Sequence, residues 1–188
     1  MKQIIIISAI IGSTVLVIFF MESAYESAHS KSATSYEIKA AFLIKFTDFI
    51  QWPDHSFNND PNHFILGIMG QNVFHHMFDP FIGTKIQGRE FRVRHFNGMA
   101  ELASIANLQM LFICRSEIPH LQTIFDQLNT SGMLTVSDTP EFIQYGGTIV
   151  FVKKGNRIGF EINRASEKRA GLKISSDLLQ LATRVYHK

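Results

Sequence analysis

The apolar residues of this chain fall into short runs separated by polar turns, and their spacing predicts the secondary structure. From Tyr36 to Ile50 they recur every three or four positions, which predicts an amphipathic helix with one apolar stripe: Ile38, Phe42, Phe46, Phe49 and Ile50. Three later runs of strand length, 63–69, 108–113 and 132–136, are almost wholly apolar, as in strands buried on both faces. In a fourth run, 90–96, apolar and polar residues alternate.

Helical spacing or capping residues between these strands predict further helices at 73–81, 100–106, 119–128 and 141–145. Strands that alternate with short helices are typical of an α/β fold. The pattern therefore predicts a single domain with a mixed, mostly parallel sheet that carries helices on both faces. No internal repeat or second domain boundary is visible.

The segment 146–182 closes the predicted domain. The apolar runs 148–152 and 158–162 enclose a polar turn with a Gly-Asn pair, which predicts a β-hairpin. Asn163 is placed to cap a short helix that ends before Gly171, and Ser175 or Ser176 to cap a last helix. The apolar residues of that last helix are Leu178, Leu179, Ala182 and Val185.

Residues 1–30 have the pattern of an export leader. Lys2 precedes an uncharged apolar run at 4–21, and a polar segment follows it. Ala28-His29-Ser30 is the best cleavage triplet of a signal peptide, but the run also reaches the length of a marginal membrane span. With either a cleaved signal or a retained anchor, we expect residues 31–188 to leave the cytoplasm.

Composition narrows the class of protein. Of 188 residues, 46% are hydrophobic and 18% charged, which indicates a sizeable core, and the net charge of +2 gives no indication of nucleic-acid binding. The lone Cys114 excludes an intrachain disulfide, and we expect it to be buried at the end of its strand. Eight histidines without ligand spacing predict no metal site.

The polar residues form no strong catalytic constellation. Gly67 and Gly70 lie at a strand end, but the spacing of a dinucleotide loop is absent, which favours a tight turn. Ser137 and Asp138 are better explained as helix-capping residues than as catalytic ones. Glu161 is out of phase with the apolar side of its strand, so we expect it on the solvent side of the hairpin. We predict no cofactor and no enzymatic activity.

Several blocks together resemble the YfiR/HmsC-type periplasmic regulators of diguanylate cyclases. They are YEIKAAFLIKFTDFIQWP, GIMG, GREFRVRHF, LQMLFI, LTVSD and, above all, GGTIVFV, IGFEIN and AGLKISSDLLQLA, in order from Tyr36 to Ala182. The resemblance implies an α/β protein that forms homodimers and inhibits a membrane-bound cyclase through its periplasmic sensor domain, lowering cyclic di-GMP and biofilm formation. It also implies an outer-membrane lipoprotein that sequesters the inhibitor. Relatives with paired cysteines respond through disulfides, which this chain lacks.

The basic cluster beside the strongest of these blocks predicts the partner contact. It comprises Arg157, Glu161, Asn163, Arg164 and Lys173, with Phe160 and Ile162 supporting them from beneath. The alternative hypothesis is a periplasmic module that binds a small ligand. Open α/β sheets bind ligands at the carboxyl ends of their strands, here near Gly70, Cys114 and Ser137.

Overall fold

The computed structural model describes residues 35–155 and 157–187. The leader predicted at 1–30 and the possible anchor at 4–21 lie outside these residues. Among the residues described, none of the helices combines the length and the hydropathy needed to cross a membrane.

The α-helices of the described residues are short, apart from the first. They are α1 at 35–49, α2 at Leu121–Gln127, α3 at Arg164–Arg169 and α4 at Ser176–Leu181. Short 3-10 helices of one or two turns fill most other connections: Asp54–Phe57, Asp79–Phe81, Gly98–Ser104, Arg115–His120 and Pro140–Ile143.

Ten strands are present in the described residues. They are β1 Ile50–Gln51, β2 His63–Met69, β3 Lys85–Ile86, β4 Arg89–Phe96, β5 Met110–Ile113, β6 Leu134–Ser137, β7 Ile149–Lys154, β8 Arg157–Asn163, β9 Lys173–Ile174 and β10 Arg184–Tyr186. Eight of them form one sheet in the order β10-β8-β7-β6-β5-β2-β4-β3, while β1 and β9 pair separately. Only β7–β8 and β3–β4 are antiparallel within the large sheet, so the predicted mixed, mostly parallel α/β fold is confirmed.

Both faces of the sheet are covered. On one face, Phe42 and Phe46 of α1 pack on Phe151 and Phe160 of the hairpin, with ring centroids 5.1–6.0 Å apart. The opposite face packs against α2 and the 3-10 turns in a buried cluster that includes Ile65, Leu111, Leu121, Ile124 and Val150. Because apolar residues of the strands point to both sides, the near-continuous apolar runs of the sequence are explained.

The predicted hairpin and both of its following helices are present. The Asn163 side chain accepts hydrogen bonds from the Ala165 and Ser166 amides at the start of α3, and Ser175 Oγ accepts one from Leu178 at the start of α4. Gly171 follows α3 with φ +71°, the left-handed conformation that glycine adopts without strain. Of the two serines predicted to cap the last helix, Ser175 is the one that caps it.

The predicted helix at 73–81 is wrong. Asn72 Oδ1 accepts hydrogen bonds from the amides of Phe74 and His75, and His75 is left-handed with φ +46°, so the chain turns instead of coiling. Phe74 and Phe78 are buried all the same, and Phe74 packs edge-on against Phe112 at 4.8 Å. Apolar residues three and four apart can therefore fill a core from an irregular segment.

The last helix is shorter than predicted. It ends at Leu181, because the Thr183 amide donates to Phe160 O and the chain then pairs with β8 as β10. Gly159 permits this approach, since a Cβ there would lie 2.6 Å from Thr183 Oγ1. Val185, predicted on the helix, belongs to β10.

Candidate partner-binding surface

The structure does not bring the five predicted contact residues onto one surface. Arg157 begins β8 at the exposed tip of the hairpin, whereas Asn163 ends the same strand. Six extended residues span about 20 Å. Arg157 therefore lies at one end of β8, while Asn163, Arg164 and Lys173 lie towards the other end of that strand.

Asn163 and Arg164 have internal partners. Asn163 is buried and caps α3, as described above. Arg164 Nε lies 3.0 Å from Oε2 of Glu167, a carboxylate that is only 3% exposed and that accepts the Ile174 amide through Oε1. These contacts join α3 to β9, so the side chains of Asn163 and Arg164 both make contacts that stabilise the fold.

Glu161 does not lie on an open solvent side of the hairpin, contrary to the expectation from the sequence. The added strand β10 lies beside β8, and the Tyr186 hydroxyl donates to Glu161 Oε2 at 2.7 Å, which leaves the carboxylate half-buried. Lys173 is exposed on β9, opposite Gln51 of β1. Of the five predicted residues, Arg157 and Lys173 have the most accessible side chains.

An open apolar groove of about 350 Å³ lies between α1 and α4. Phe46 and Phe160 lie at its base, and among the described residues Lys45 is the only charged one that lines it. Two of the exposed large apolar side chains line it, Ile38 at 42% and Leu181 at 67% exposure. The remaining lining residues are Ala41, Phe42, Phe49 and Leu178.

Two backbone hydrogen bonds place α4 alongside α1. The Ser175 amide donates to Phe49 O at one end of α4, and the Thr183 amide donates to Phe160 O beyond the other. The two helices therefore form the two walls of the groove. We call it the α1–α4 groove, with the nine lining residues given above.

The predicted apolar stripe of α1 divides between the core and this groove. Phe46 and Ile50 are buried, whereas Ile38 is exposed and Phe42 and Phe49 are half-buried. The width of this apolar stripe is the feature of the sequence that could have indicated the groove. At about 100° per residue, the arc from Ile38 to the buried Leu43 covers about 140°, more than a single core-facing stripe requires.

Of the two exposed predicted residues, Lys173 lies beside the α1–α4 groove and Arg157 lies at the hairpin tip. Phe49 also lines a neighbouring polar hollow that contains Lys173, Gln87 and Asp48. At the other end, α1 starts beside the end of β6, through a contact between Lys39 and Asp138, and the hairpin tip with Arg157 projects beyond that same edge. Lys173 therefore adjoins the groove directly, whereas Arg157 does not line it.

The crevice at the carboxyl ends of β2 and β5 is filled by protein. Gly70 and Gly98 have φ +94° and +81°, and a Cβ on Gly70 would collide with Ser116 Oγ and the Glu117 carboxylate. Ser116 Oγ accepts from the Gln71 amide and donates to Glu117 Oε1, and Glu117 is 7% exposed. The place at which such sheets bind ligands is here occupied by the chain's own side chains.

The helix-capping interpretation of Ser137 and Asp138 is wrong. Ser137 Oγ donates to Ile113 O between neighbouring strands, and Thr139 precedes the 3-10 turn without a side-chain cap. Asp138 Oδ2 instead accepts from Lys39 Nζ at 2.6 Å, in a buried ion pair that joins α1 to the end of β6. A contact between residues 99 positions apart leaves no local signal in the sequence.

Cys114 is buried, as predicted. Burial, reinforced by the negative charge of Asp138, raises the pKa of its thiol to about 12, so the thiol stays protonated at neutral pH. A protonated, buried thiol is a poor nucleophile. Among the described residues, no group of three or more His, Cys, Asp or Glu side chains is arranged to hold a metal ion.

Comparison with known families gives a decisive match. The model of the YfiR/HmsC-like family matches residues 36–183, most of the chain. The chain belongs to the YfiR/HmsC-like family. Membership supports a periplasmic regulatory role in general terms. No curated protein sequence matches the chain significantly.

Two solved structures are similar to this YfiR/HmsC-like chain at low identity. One is a conserved domain protein from Vibrio cholerae O1 biovar eltor str. N16961, with 10% identity and a TM-score of 0.47, covering 69% of this chain and 57% of that one. The other is an ABC domain in complex with L-Trp from Streptococcus pneumonia, with 12% identity and a TM-score of 0.49, covering 67% and 56%. The chain thus spans little more than half the length of either protein.

Proposed function

We propose that this protein is an exported, non-enzymatic regulator that inhibits a membrane-bound diguanylate cyclase by binding the cyclase's periplasmic sensor domain. Inhibition would lower cyclic di-GMP and with it biofilm formation. The observation that carries the proposal is the YfiR/HmsC-like match over residues 36–183. The region 4–21 either directs export or anchors the chain to the inner membrane.

Such an inhibitor acts by preferring one of two conformations of its target. A bound protein shifts an equilibrium only by the difference between its affinities for the two states. The chain must therefore present a surface that fits the inactive sensor domain better than the active one. Lys173 is exposed in the hollow that adjoins the α1–α4 groove, Arg157 is exposed at the hairpin tip, and both supply charge for that fit. Glu161, Asn163 and Arg164 contribute to it through their internal contacts.

Two further partners belong to the same proposal. An outer-membrane lipoprotein that sequesters the chain would relieve inhibition, because it lowers the free concentration available to the cyclase. A homodimer would present two contact surfaces to a dimeric cyclase. With Cys114 buried and protonated, disulfide exchange is not a ready route of control.

Deleting the gene and restoring the chain in trans tests the proposal. Cellular cyclic di-GMP should rise on deletion and return to the parental level when the exported chain is supplied. A version that lacks residues 1–30 should accumulate in the cytoplasm and fail to restore it. If deletion leaves cyclic di-GMP unchanged while a diguanylate cyclase with a periplasmic domain is expressed, the proposed function is wrong.

The alternative function, a small-ligand-binding module, is favoured by one observation. The α1–α4 groove, at about 350 Å³, falls within the size range of small-molecule sites. A thermal-shift screen of the purified chain against periplasmic metabolites distinguishes the two functions. A saturable rise in melting temperature that disappears in Leu181→Asp would support the module.

A further inference from the structure

We propose that the α1–α4 groove receives an amphipathic helix of about three turns from a partner protein, with acidic residues beside its apolar stripe. The inference deepens the proposed function, because it names the kind of segment that the regulator recognises. It rests on the shape, the size and the charge of the groove.

The shape of the groove matches a helix. Its α1 wall presents one helix face, at positions i, i+3, i+4, i+7 and i+11: Ile38, Ala41, Phe42, Lys45 and Phe49. The wall from residue 38 to 49 is about 17 Å long at 1.5 Å per residue, or about three turns. The opposite wall offers Leu178 and Leu181, one turn apart on α4. Grooves between helices accept the apolar stripe of a third helix through such spacing.

The size of the groove favours a single segment. Nine residues of the described part of the chain line it, whereas a standard interface between two folded proteins uses about 20–30 residues on each side. A second copy of this chain docked face to face would need a larger apolar surface. The exposure of Ile38 and Leu181 also leaves the walls open, whereas a small-molecule pocket encloses about 70–90% of its ligand.

The charges around the groove define the flanks of its occupant. Lys45 Nζ lies 3.0 Å from Asp48 Oδ2 in a highly exposed pair, so the lysine can exchange that partner at little cost. Lys45 lines the groove with a side chain that is 71% exposed, so its ammonium reaches solvent. A second base, Lys173, is exposed in the hollow that adjoins the groove and also contains Asp48. Acidic flanks therefore complement it.

Binding of two designed peptides tests the inference without any cyclase. Both are 15-residue helices with leucines at i, i+3, i+4, i+7 and i+11, one flanked by glutamates and the other by lysines. In low salt the full-length chain should bind the acidic peptide at least tenfold more tightly, by fluorescence anisotropy. Leu181→Asp should weaken that binding at least tenfold, and Lys45→Glu should reduce the preference for the acidic peptide at least threefold.

Ile82→Asp is the matched control, since Ile82 is 52% exposed but does not line the groove. It should bind the acidic peptide like the unmodified chain, and circular dichroism should show that each variant folds. The inference would be overturned if neither peptide bound at millimolar concentration, or if decanoate bound in place of the peptides. It would also be overturned if the chain formed a dimer that Leu181→Asp dissociates without any effect on peptide binding. None of these bears on cyclic di-GMP, so the proposed function stands or falls separately.

Discussion

The crevice at the carboxyl ends of β2 and β5 and the α1–α4 groove are built on one sheet but differ in what fills them. In the crevice, Ser116 and the buried Glu117 lie against Gly70 and Gly98. In the groove, apolar side chains face solvent, and Leu181 is 67% exposed. The fold's usual ligand position is thus closed by polar side chains, while the exposed apolar surface lies between two helices. This contrast favours recognition of a protein segment over capture of a metabolite at the strand ends.

The largest effect is expected from the buried ion pair that anchors α1, one wall of the groove. Lys39→Met removes one partner of this buried pair, so we expect the free energy of unfolding to fall by about 3–5 kcal/mol. Lys45→Met is the matched control, because its pair with Asp48 is exposed and worth about 0–1 kcal/mol. Urea denaturation of both variants measures the difference, and equal losses would contradict the buried anchor.

A smaller loss is expected when the filled crevice is disturbed. Gly70→Ala combines a left-handed backbone with a collision against Ser116 and Glu117, whereas Gly83→Ala has the backbone problem alone, since nothing lies within 4 Å of its Cβ position. We expect Gly83→Ala to cost about 1–2 kcal/mol. Overpacking should make Gly70→Ala cost about 1–3 kcal/mol more. If both variants have the same urea midpoint, the crevice has room for a ligand and the contrast with the groove fails.

Alkaline pH tests the burial of Cys114 at the end of β5. Its folded pKa is about 12 against an ordinary value of 9.0, so above pH 9 the unfolded chain releases a proton that the folded chain retains. Stability is unaffected below pH 9 and falls between pH 9 and 12, by about 1.4 kcal/mol per pH unit at most. Urea midpoints from pH 8 to 11 should show this decline. Cys114→Ala should lack this part of it; identical slopes would contradict the buried thiol.

The smallest effect on stability is expected at the hairpin tip. Arg157→Glu changes an exposed side chain, so the free energy of unfolding should stay within about 0.5 kcal/mol of the original. Repression of cyclic di-GMP should nevertheless weaken, because the charge at the exposed hairpin tip is reversed. Lys85→Glu, an equal charge change on the far edge strand β3, should leave repression intact. Equal repression by the two variants would remove Arg157 from the contact surface.

The sequence predicted the parts of the fold that depend on neighbouring residues. The strands β2, β4, β5 and β6 follow from apolar runs, and the Asn163 cap follows from a single side chain beside a helix start. The strands β1, β3, β9 and β10 were missed because each has only two or three residues and exists through a distant partner. Periodicity cannot reveal such pairings.

The candidate site was predictable only in part, for a related reason. The basic residues of the closing segment are visible in the sequence, but their separation along β8 and the internal partners of Asn163 and Arg164 depend on tertiary contacts. The α1–α4 groove joins residues near 40 to residues near 180, so neither half identifies it alone. The apolar stripe of α1 is wider than contact with the core requires, and this was the one local indication of the groove.

The most direct test of the account is cyclic di-GMP in a deletion strain that carries Leu181→Asp. The variant should fold, reach the periplasm at the level of the unmodified chain and leave cyclic di-GMP as high as in the uncomplemented strain. Ile82→Asp, produced at the same level, should restore the low concentration. If Leu181→Asp represses as fully as the unmodified chain, the α1–α4 groove is not the surface through which this regulator acts.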